Sequence, residues 1–303
     1  MRPESVASYS AAYPLDSIIS NLGISEVIAS STDKYSVGDI ITGYTNTELF
    51  TVISAEKLAG FKLLNNPHNL PLSNFTGVLG MPGLTAYSSF YKIGKPKKGE
   101  TIFVSAAAGA VGQVVGQLAL REGLTVIGSV GSDEKLQFIE KELGFKGFNY
   151  KTESPHDALK RLAPNGIDIY YENVGGISLE AAIANSNDHA RIIACGMISY
   201  YNAQGNPDNS SSAYYPKNIF EVVARRITMQ GFIVGDPGFG PAYAKEHIEN
   251  VGKWLAAKEM VAKEHIIEGI DKAPQGLVGI FKGENFGKAV LKVSEEKGGK
   301  AKL

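Results

Sequence analysis

The feature that most constrains the fold is a strand, a turn of small residues and a helix in direct succession. The run TIFVS at 101–105 is apolar and rich in β-branched side chains, which predicts a buried strand. The turn AAAGAVG at 106–112 follows, and the apolar run 110–122 stops at Gly123, as a helix often does. Repetition of such a unit gives a parallel sheet with helices on both faces.

The alternation of strands and helices continues from about residue 80 to residue 262. It predicts an α/β fold with a doubly wound parallel sheet. The further predicted strands are 125–128, 148–150, 167–171, 191–195 and 227–234. The further predicted helices are 132–143, 158–163 and 243–257.

Both ends of the chain have a different pattern of short strands and turns. The patterns lie at 26–28, 39–41, 49–53, 264–267 and 288–293. We therefore expect one β-rich domain formed by residues 1–79 and 263–303, with a nucleotide-binding domain of residues 80–262 inserted between them.

Composition and charge exclude several classes of function. Lys and Arg number 30 and Asp and Glu 31, so nothing in the net charge of -1 attracts nucleic acid or an anionic membrane. A single Cys excludes a disulfide framework and cysteine-based zinc sites, and the five His show no ligand-like spacing. No apolar run approaches the ~18 residues of a membrane helix. Since no signal peptide is apparent, we expect a cytoplasmic protein without a bound metal.

The turn 106–112 has the composition of a phosphate-binding loop. Gly109 lets a ligand approach the backbone and Gly112 lets the helix pack against the strand, while Ala107 replaces the first glycine of G-x-G-x-x-G. The N-terminus of the following helix favours an anion such as a pyrophosphate. The alternative is a closely packed helix start that binds nothing.

The end of the second strand bears on the choice of cofactor. NAD enzymes place an acidic residue there, about 20 residues past the glycines. The strand ends in SVGS at 129–132 without a carboxylate, and Lys135 suits the 2′-phosphate of NADP. Asp133, 21 positions after Gly112, argues the other way, but we expect it to point outward from the first turn of a helix. The alternative for Lys135 is a solvated surface lysine.

Several further stretches complete a family pattern together with the loop 106–112. They are LGMPGLTAY at 79–87, GSDEK at 131–135, NYKT at 149–152, NVGG at 173–176, CGMIS at 195–199, GFIV at 231–234 and NFGKAV at 285–290. The chain resembles the zinc-free branch of the medium-chain dehydrogenase/reductase superfamily that contains prostaglandin reductases and plant alkenal double-bond reductases. The resemblance implies a Rossmann domain inserted in a GroES-like β-rich substrate domain, and NADP as the cofactor.

The resemblance also implies contacts for each part of NADP. The residues implied are Gly109, Ala110, Val111 and Gly112 at the pyrophosphate, Lys135 and Tyr150 at the 2′-phosphate, Asn173 near the ribose, Cys195, Gly196, Met197, Ile198, Ser199, Tyr200 and Tyr201 along the nicotinamide half, Phe232, Ile233 and Val234 at the carboxamide, and Asn285 from the β-rich domain. Tyr150 is alternatively a packed strand aromatic, and NVGG at 173–176 a turn that ends a strand. We assign Cys195 no chemistry.

The implied reaction is reduction of a carbon–carbon double bond conjugated to a carbonyl, in enals and enones. Tyr201 is the candidate donor to the carbonyl oxygen, because a phenol stays protonated at neutral pH. Tyr200 is a rival for that role, and the α-carbon proton comes from Tyr201 or from water. Tyr87, Met81 and Phe232 are candidate walls of an apolar pocket.

Two departures from the family pattern keep alternatives open. Relatives carry a few dozen residues before the position of Met1, so we expect an incomplete substrate domain and altered turnover. Quinone reduction and NADPH binding with weak catalysis are the alternative functions, and a homodimer is the expected assembly.

The second departure is at the C-terminal end. The last three residues, Ala301, Lys302 and Leu303, resemble the Ser-Lys-Leu peroxisomal address.

Overall fold

The computed structural model describes residues 8–201 and 214–295, and its first sheet is antiparallel. The strands are β1 (Ser20–Glu26), β2 (Ile40–Asn46) and β3 (Lys62–Leu63), paired in the order 1-2-3. The strands predicted at 26–28 and 39–41 are therefore displaced, and the strand predicted at 49–53 is wrong. That segment has no strand pairing, and Val52 is 96% exposed. Apolar alternation alone does not form a strand where no neighbouring strand is available to pair with it.

The second sheet has six parallel strands. They are β4 (Thr101–Val104), β5 (Thr125–Val130), β6 (Lys146–Asn149), β7 (Ile167–Glu172), β8 (Ser186–Ala194) and β9 (Thr228–Gly231). Their order is β6-β5-β4-β7-β8-β9, which is the doubly wound Rossmann order. The fold class predicted from the sequence is confirmed.

Helices cover both faces of the six-stranded sheet. They are α1 (Met81–Ser89), α2 (Gly112–Arg121), α3 (Asp133–Gln137), α4 (Pro155–Leu162), α5 (Gly176–Ala184), α6 (Glu221–Ala224) and α7 (Gly240–Ala256). The sequence patterns missed α1 and α5, because these helices are buried on most sides and lack an amphipathic stripe. Across the described parts of the chain, no helix combines the length and the apolar character needed to cross a membrane.

The chain then forms a two-stranded sheet near its C-terminal end. Strands β10 (Glu264–Glu268) and β11 (Lys288–Lys292) pair in parallel, with Glu264 opposite Lys288. Parallel pairing requires a crossover, which α8 (Ala273–Lys282) supplies. Both strands were predicted, but α8 was not.

A broad groove is lined by residues from both ends of the chain. Its volume is about 2080 Å³, and its lining includes parts of β1, β2, β10 and β11 together with the segment 47–53. The two ends therefore line a common groove, but within the described residues no hydrogen-bonded sheet joins them, and the single β-rich domain stays a prediction.

The strand order also locates the crevice where a ligand binds. β4 and β7 are neighbours, but the chain leaves them toward opposite edges of the sheet. In open α/β sheets, ligands bind beyond the carboxyl ends of the strands at such a switch point. Ser105 and Glu172 lie at those two strand ends, so the segments that follow them form the walls of the crevice.

Candidate cofactor and active site

The turn after β4 leaves the start of α2 open to a ligand. Ala106 has a positive φ of 51°, and the Gly109 N–H donates to its carbonyl at 2.9 Å. A Cβ on Gly112 would lie 2.4 Å from the same carbonyl oxygen, so only glycine fits there. The N-cap residue of α2, Val111, makes no capping bond with its side chain. The N–H groups of Gln113 and Val114 bond to the carbonyls of Gly109 and Val111, so an anion at this positive end of the helix, such as the pyrophosphate of a dinucleotide, would meet the turn before Gln113.

Lys135 lies in α3, the helix after β5, and Tyr150 directly follows the neighbouring strand β6. A Cβ on Gly131 would lie 2.7 Å from the Tyr150 hydroxyl, so Gly131 and Tyr150 are in close contact. Burial, and then the nearby positive charge of Lys151, lower the pKa of Lys135. Lys135 and Lys151 thus bring two positive charges near Tyr150, an arrangement that suits a 2′-phosphate. We call Lys135, Tyr150 and Lys151 the 2′-phosphate corner.

Asp133, the acidic residue at the position that would favour NAD, forms a hydrogen bond within the protein. It lies in the first turn of α3, and its carboxylate accepts a hydrogen bond from Asn149 Nδ2 at 2.8 Å. Ser132 caps the same helix by accepting from the Lys135 N–H at 3.3 Å. The exposed first-turn position expected from the sequence is what the structure has.

Asn173 joins the ends of the two switch-point strands. Its backbone N–H donates to Ser105 Oγ at 2.9 Å, and its side-chain Nδ2 donates to the Ser105 carbonyl at 2.8 Å. The amide nitrogen predicted to meet the cofactor thus fixes the loop 173–176 against the strand that leads into the phosphate loop.

Glu172 is a buried acid that the sequence analysis missed. Its Oε1 accepts from Tyr170 Oη at 2.8 Å and from the N–H groups of Val174 and Gly175 at 2.6 and 2.8 Å. Its Oε2 is buried and has no hydrogen-bond partner among the described residues, and burial raises the pKa of the carboxyl group. A carboxylate directly after the run Ile169–Tyr171 was the available signal.

The loop after β8 lies along this turn. Cys195 and Gly196 both donate backbone N–H groups to the Glu172 carbonyl at 3.0 Å, and Ile198 donates to the Asn173 carbonyl at 3.1 Å. The loop 195–201 is therefore held by the carboxyl end of β7, and its predicted position along the nicotinamide half of the cofactor stays a prediction.

The two neighbouring tyrosines of this loop have different surroundings. Tyr200 Oη donates to the Tyr214 carbonyl at 2.5 Å and accepts from the Gly176 N–H at 3.3 Å. Its ring stacks on Tyr215 with centroids 5.5 Å apart. The Tyr200 hydroxyl is thus committed to the protein backbone. Tyr201 is half exposed and lies with its hydroxyl near Gly196.

Tyr201 belongs to a small pocket beyond the ends of β8 and β9. The pocket has a volume of about 430 Å³, and its lining includes Cys195, Gly196, Met197, Tyr201, Phe232, Ile233 and Asp236. Burial raises the pKa of the Tyr201 hydroxyl, so it stays protonated and able to donate. Burial also raises the pKa of the Cys195 thiol to about 11, so this thiol is not ionised at neutral pH.

Other predicted contacts point elsewhere. The Ile233 N–H donates to Asp236 Oδ2 at 3.2 Å, and the Val234 carbonyl accepts from Gly240. Ser199 Oγ donates to the Val174 carbonyl, and Asn285 Nδ2 donates to the Gly287 carbonyl. Each of these groups has a partner within the protein, so their predicted contacts with a cofactor stay predictions.

Two of the proposed pocket walls are misplaced. Tyr87 is fully buried between α1 and α7, where it donates to Glu246 at 2.7 Å and accepts from Asn250 at 2.9 Å. Met81 lines the broad groove instead, and only Phe232 lines the small pocket. The error for Tyr87 arose because α1 was not recognised as a buried helix.

Comparison with known proteins places these features in a family. A profile of the zinc-binding dehydrogenase family matches residues 110–255. An NADP-dependent oxidoreductase named RED1 from Cochliobolus heterostrophus is 51% identical over 299 residues, which cover 98% of this chain and 84% of the relative. The chain belongs to the medium-chain dehydrogenase/reductase superfamily. The resemblance inferred from the motifs is confirmed.

Two further members of the superfamily carry more specific names. A 2-alkenal reductase (NADP(+)-dependent) from Nicotiana tabacum is 42% identical, over 95% of this chain and 81% of that protein. The crystal structure of CurA from Vibrio vulnificus in complex with NADPH has a TM-score of 0.82 and 34% identity, over 96% of this chain and 84% of that one. Within residues 8–201 and 214–295, no group of three or more His, Cys, Asp or Glu side chains is arranged to hold a metal ion.

Proposed function

We propose that this member of the superfamily uses NADPH to reduce the carbon–carbon double bond of α,β-unsaturated aldehydes and ketones. The observation that carries the proposal is that the Tyr201 pocket and the glycine turn at Gly109–Gly112 both lie beyond the carboxyl ends of strands of the same parallel sheet. The 42% identity to a 2-alkenal reductase supports the substrate class.

The cofactor assignment rests on two groups of residues, one suited to the pyrophosphate and one suited to the 2′-phosphate of NADPH. The backbone from Gly109 to Gly112 holds the pyrophosphate, and Lys135 with Tyr150 holds the 2′-phosphate. The loop 195–201 and Phe232 position the nicotinamide half in the pocket. NADPH, when bound, supplies the hydride that reduces the substrate.

Tyr201 serves the chemical step by donating a hydrogen bond to the carbonyl oxygen of the substrate. Negative charge develops on that oxygen as hydride reaches the β-carbon, and a fixed donor stabilises the charge without reorganisation. The lining is mostly apolar, which suits the carbon skeleton of an enal or enone. Tyr200 does not compete for the role, because its hydroxyl is already bonded on both sides.

NADPH oxidation in the presence of a medium-length 2-alkenal tests the proposal, with the saturated aldehyde identified as the product. Quinones provide the discriminating comparison. We expect turnover of 2-alkenals and 2-enones and little turnover of quinones. Preferential quinone reduction contradicts the proposal. Tight NADPH binding without oxidation across the whole panel also contradicts it, and indicates a binding protein.

The chain also presents an edge suited to forming a homodimer, which we propose as its assembly. Within the described residues β9 is the last strand on its side of the sheet, and all four of its residues are exposed. The preceding segment exposes apolar side chains at Ile219, Phe220 and Val223. An exposed strand edge beside an apolar patch favours pairing with a second copy.

The proposed location is the cytoplasm, with import into peroxisomes as the alternative. Residues 301–303 lie outside the described residues, so the structure does not bear on their use as an address. A fluorescent protein carrying the last ten residues distinguishes the two: diffuse fluorescence supports the cytoplasm, and punctate fluorescence that coincides with a peroxisomal marker supports import.

A further inference from the structure

The segment between α8 and β11 docks on the cofactor-binding domain. Gly287 forms a parallel bridge with Gly109 of the phosphate loop. The ring of Phe286 meets Phe138 edge to face, with centroids 5.1 Å apart. At the other end of the segment, Lys135 Nζ donates to the Gly283 carbonyl at 2.9 Å. Residues 283–287 are thus held at three points.

The contact at Gly283 is a helix cap supplied by another part of the fold. Gly283 follows α8 with a φ of 71°, in the left-handed conformation that often ends a helix. Carbonyl groups and the negative end of the helix dipole gather there, so a cation is favourable. Lys135 provides this cation from α3, 148 residues earlier in the chain.

The same ammonium group lies near the residues proposed to hold the 2′-phosphate. It is close enough to the turn after β6 for the positive charge of Lys151, the neighbour of Tyr150, to act on it. An ammonium group has three donors, and the bond to Gly283 uses one of them. Two donors stay available for a phosphate, so one side chain is able to serve both partners at once.

We propose that Lys135 is a positioning residue for the segment 283–287 in addition to its contact with the 2′-phosphate. The proposal rests on the assignment of NADPH made above. A phosphate bound at this corner orders the Lys135 side chain and thereby strengthens its bond to Gly283. Recognition of the 2′-phosphate is in this way coupled to the placement of Asn285 and Gly287 beside the phosphate loop.

Hydrogen exchange of the whole chain tests the coupling without any substrate. The probes are 2′,5′-ADP and 5′-AMP at saturation, and the variants are Lys135→Met and Lys151→Met. Lys151 is the matched control, because it is a lysine whose charge acts on Lys135. Its backbone N–H donates to the side chain of Asn149, so it belongs to the turn after β6. In the free protein, we expect Lys135→Met to speed exchange at 283–287 at least threefold and Lys151→Met to leave it unchanged.

The nucleotides separate the two roles of Lys135. In the unsubstituted protein, 2′,5′-ADP should slow exchange at 283–287 more than 5′-AMP does, and Lys135→Met should abolish the difference. Equal exchange at 283–287 in the unsubstituted protein and in Lys135→Met overturns the proposal. Equal protection by the two nucleotides also overturns it. Unchanged exchange in β4 and β7 shows that the variant is folded.

Steady-state kinetics with NADH provide a second, independent measurement. NADH lacks the 2′-phosphate, so a residue that only binds this phosphate leaves NADH kinetics unchanged on removal. We expect Lys135→Met to lower kcat/KM with NADH at least threefold, and an unchanged value overturns the proposal. The exchange experiment needs nucleotide but no enal, so failure of the proposed substrate class is distinguishable from failure of this coupling.

Discussion

At the scale of single residues, the site depends on how each hydroxyl is partnered. Tyr200 and Tyr201 are adjacent in sequence and identical in chemistry. The Tyr200 hydroxyl bonds to Gly176 and Tyr214, so it fixes the loop 195–201 and has no donor to offer a substrate. Tyr201 lines the pocket, where burial raises the pKa of its hydroxyl. These contacts give Tyr200 a structural role in the loop and leave Tyr201 as the proposed donor to the substrate.

Tyr201→Phe removes the proposed donor with little change in shape. We expect kcat for a 2-alkenal to fall about 100-fold, as for loss of one oxyanion donor, with the Kd for NADPH changed less than about twofold. Stopped-flow and equilibrium binding measure the two quantities. Because the hydroxyl pKa is raised, kcat of the unsubstituted protein should not fall between about pH 7 and 10. A Tyr201→Phe variant with normal kcat contradicts the assignment.

At the scale of elements, α2 follows the proposed phosphate loop and also bonds to the segment 261–263, which leads into β10. Gln113 accepts from the Lys263 N–H at 2.8 Å and donates to its carbonyl at 3.1 Å. Gln117, one turn later, makes the same pair of bonds with Val261 at 2.7 and 2.9 Å. Two side chains thus bond to the N–H and carbonyl groups of Val261 and Lys263 as a neighbouring strand would, and they fix this segment to α2.

Two glycines of α2 provide a matched pair of substitutions. A Cβ on Gly112 would lie 2.4 Å from the Ala106 carbonyl, and one on Gly116 would lie 2.2 Å from the ring of Phe145. Each change to Ala should destabilise the fold by about 1–3 kcal/mol through overpacking. Only Gly112→Ala should also raise the Kd for NADPH, by about tenfold or more, because it displaces the N–H groups of the loop.

Calorimetric titration with NADPH and thermal melts measure both effects. Comparable Kd values in Gly112→Ala and Gly116→Ala contradict the placement of the pyrophosphate at this turn.

The packing of α7 on α1 predicts an acid-sensitive stability. His247 on α7 is buried, its Nε2 lies 2.9 Å from the Val78 carbonyl, and burial lowers its pKa to about 4. The unfolded chain, with a His pKa near 6.5, takes up the proton first as pH falls. Stability from His247 is therefore complete above about pH 6.5 and is lost toward pH 4, by roughly 3 kcal/mol.

His247→Gln keeps a donor for Val78 but does not titrate. Urea unfolding between pH 4 and 7 should show a shallower loss of the free energy of unfolding in the variant than in the unsubstituted protein. Parallel curves for the two proteins contradict the role given to His247.

Sequence patterns predicted the elements that have a strong local signature. The unit at 101–122 combines a β-branched run, a glycine turn and a glycine stop, and the structure has β4 and α2 there. Helix α5 was missed because GISLEAAIA is apolar nearly all round. Glu172 was missed because its partners Tyr170, Val174 and Gly175 are assembled by the turn after β7. Such networks depend on tertiary geometry, which local periodicity does not encode.

At the scale of the whole molecule, the two regions differ in how well they are covered. The six-stranded sheet is packed on both faces, and the central strands are almost entirely buried. The antiparallel sheet borders the broad groove, and Phe50 and Val52 are 73% and 96% exposed. The proposed cofactor-binding residues therefore belong to the better-packed region, and the groove belongs to the less covered one.

The edge of β9 predicts the state of association. Met229→Lys places a charge on this strand, where Met229 is 37% exposed, and charged edge residues oppose strand pairing. We expect sedimentation to show a dimer for the unsubstituted protein and a monomer for the variant at the same concentration. Lys245→Glu on the exposed face of α7 is a control that should stay dimeric. A dimer in Met229→Lys contradicts the proposed interface.

The single cysteine of the chain has a practical consequence. Cys195 lines the same pocket as Tyr201, and no second thiol competes with it for a labelling reagent. Because its raised pKa keeps the thiolate scarce at neutral pH, alkylation is slow and its rate rises with pH. A ligand seated in the pocket shields the sulfur, so the rate at which the intact mass gains one adduct is a direct gauge of pocket occupancy.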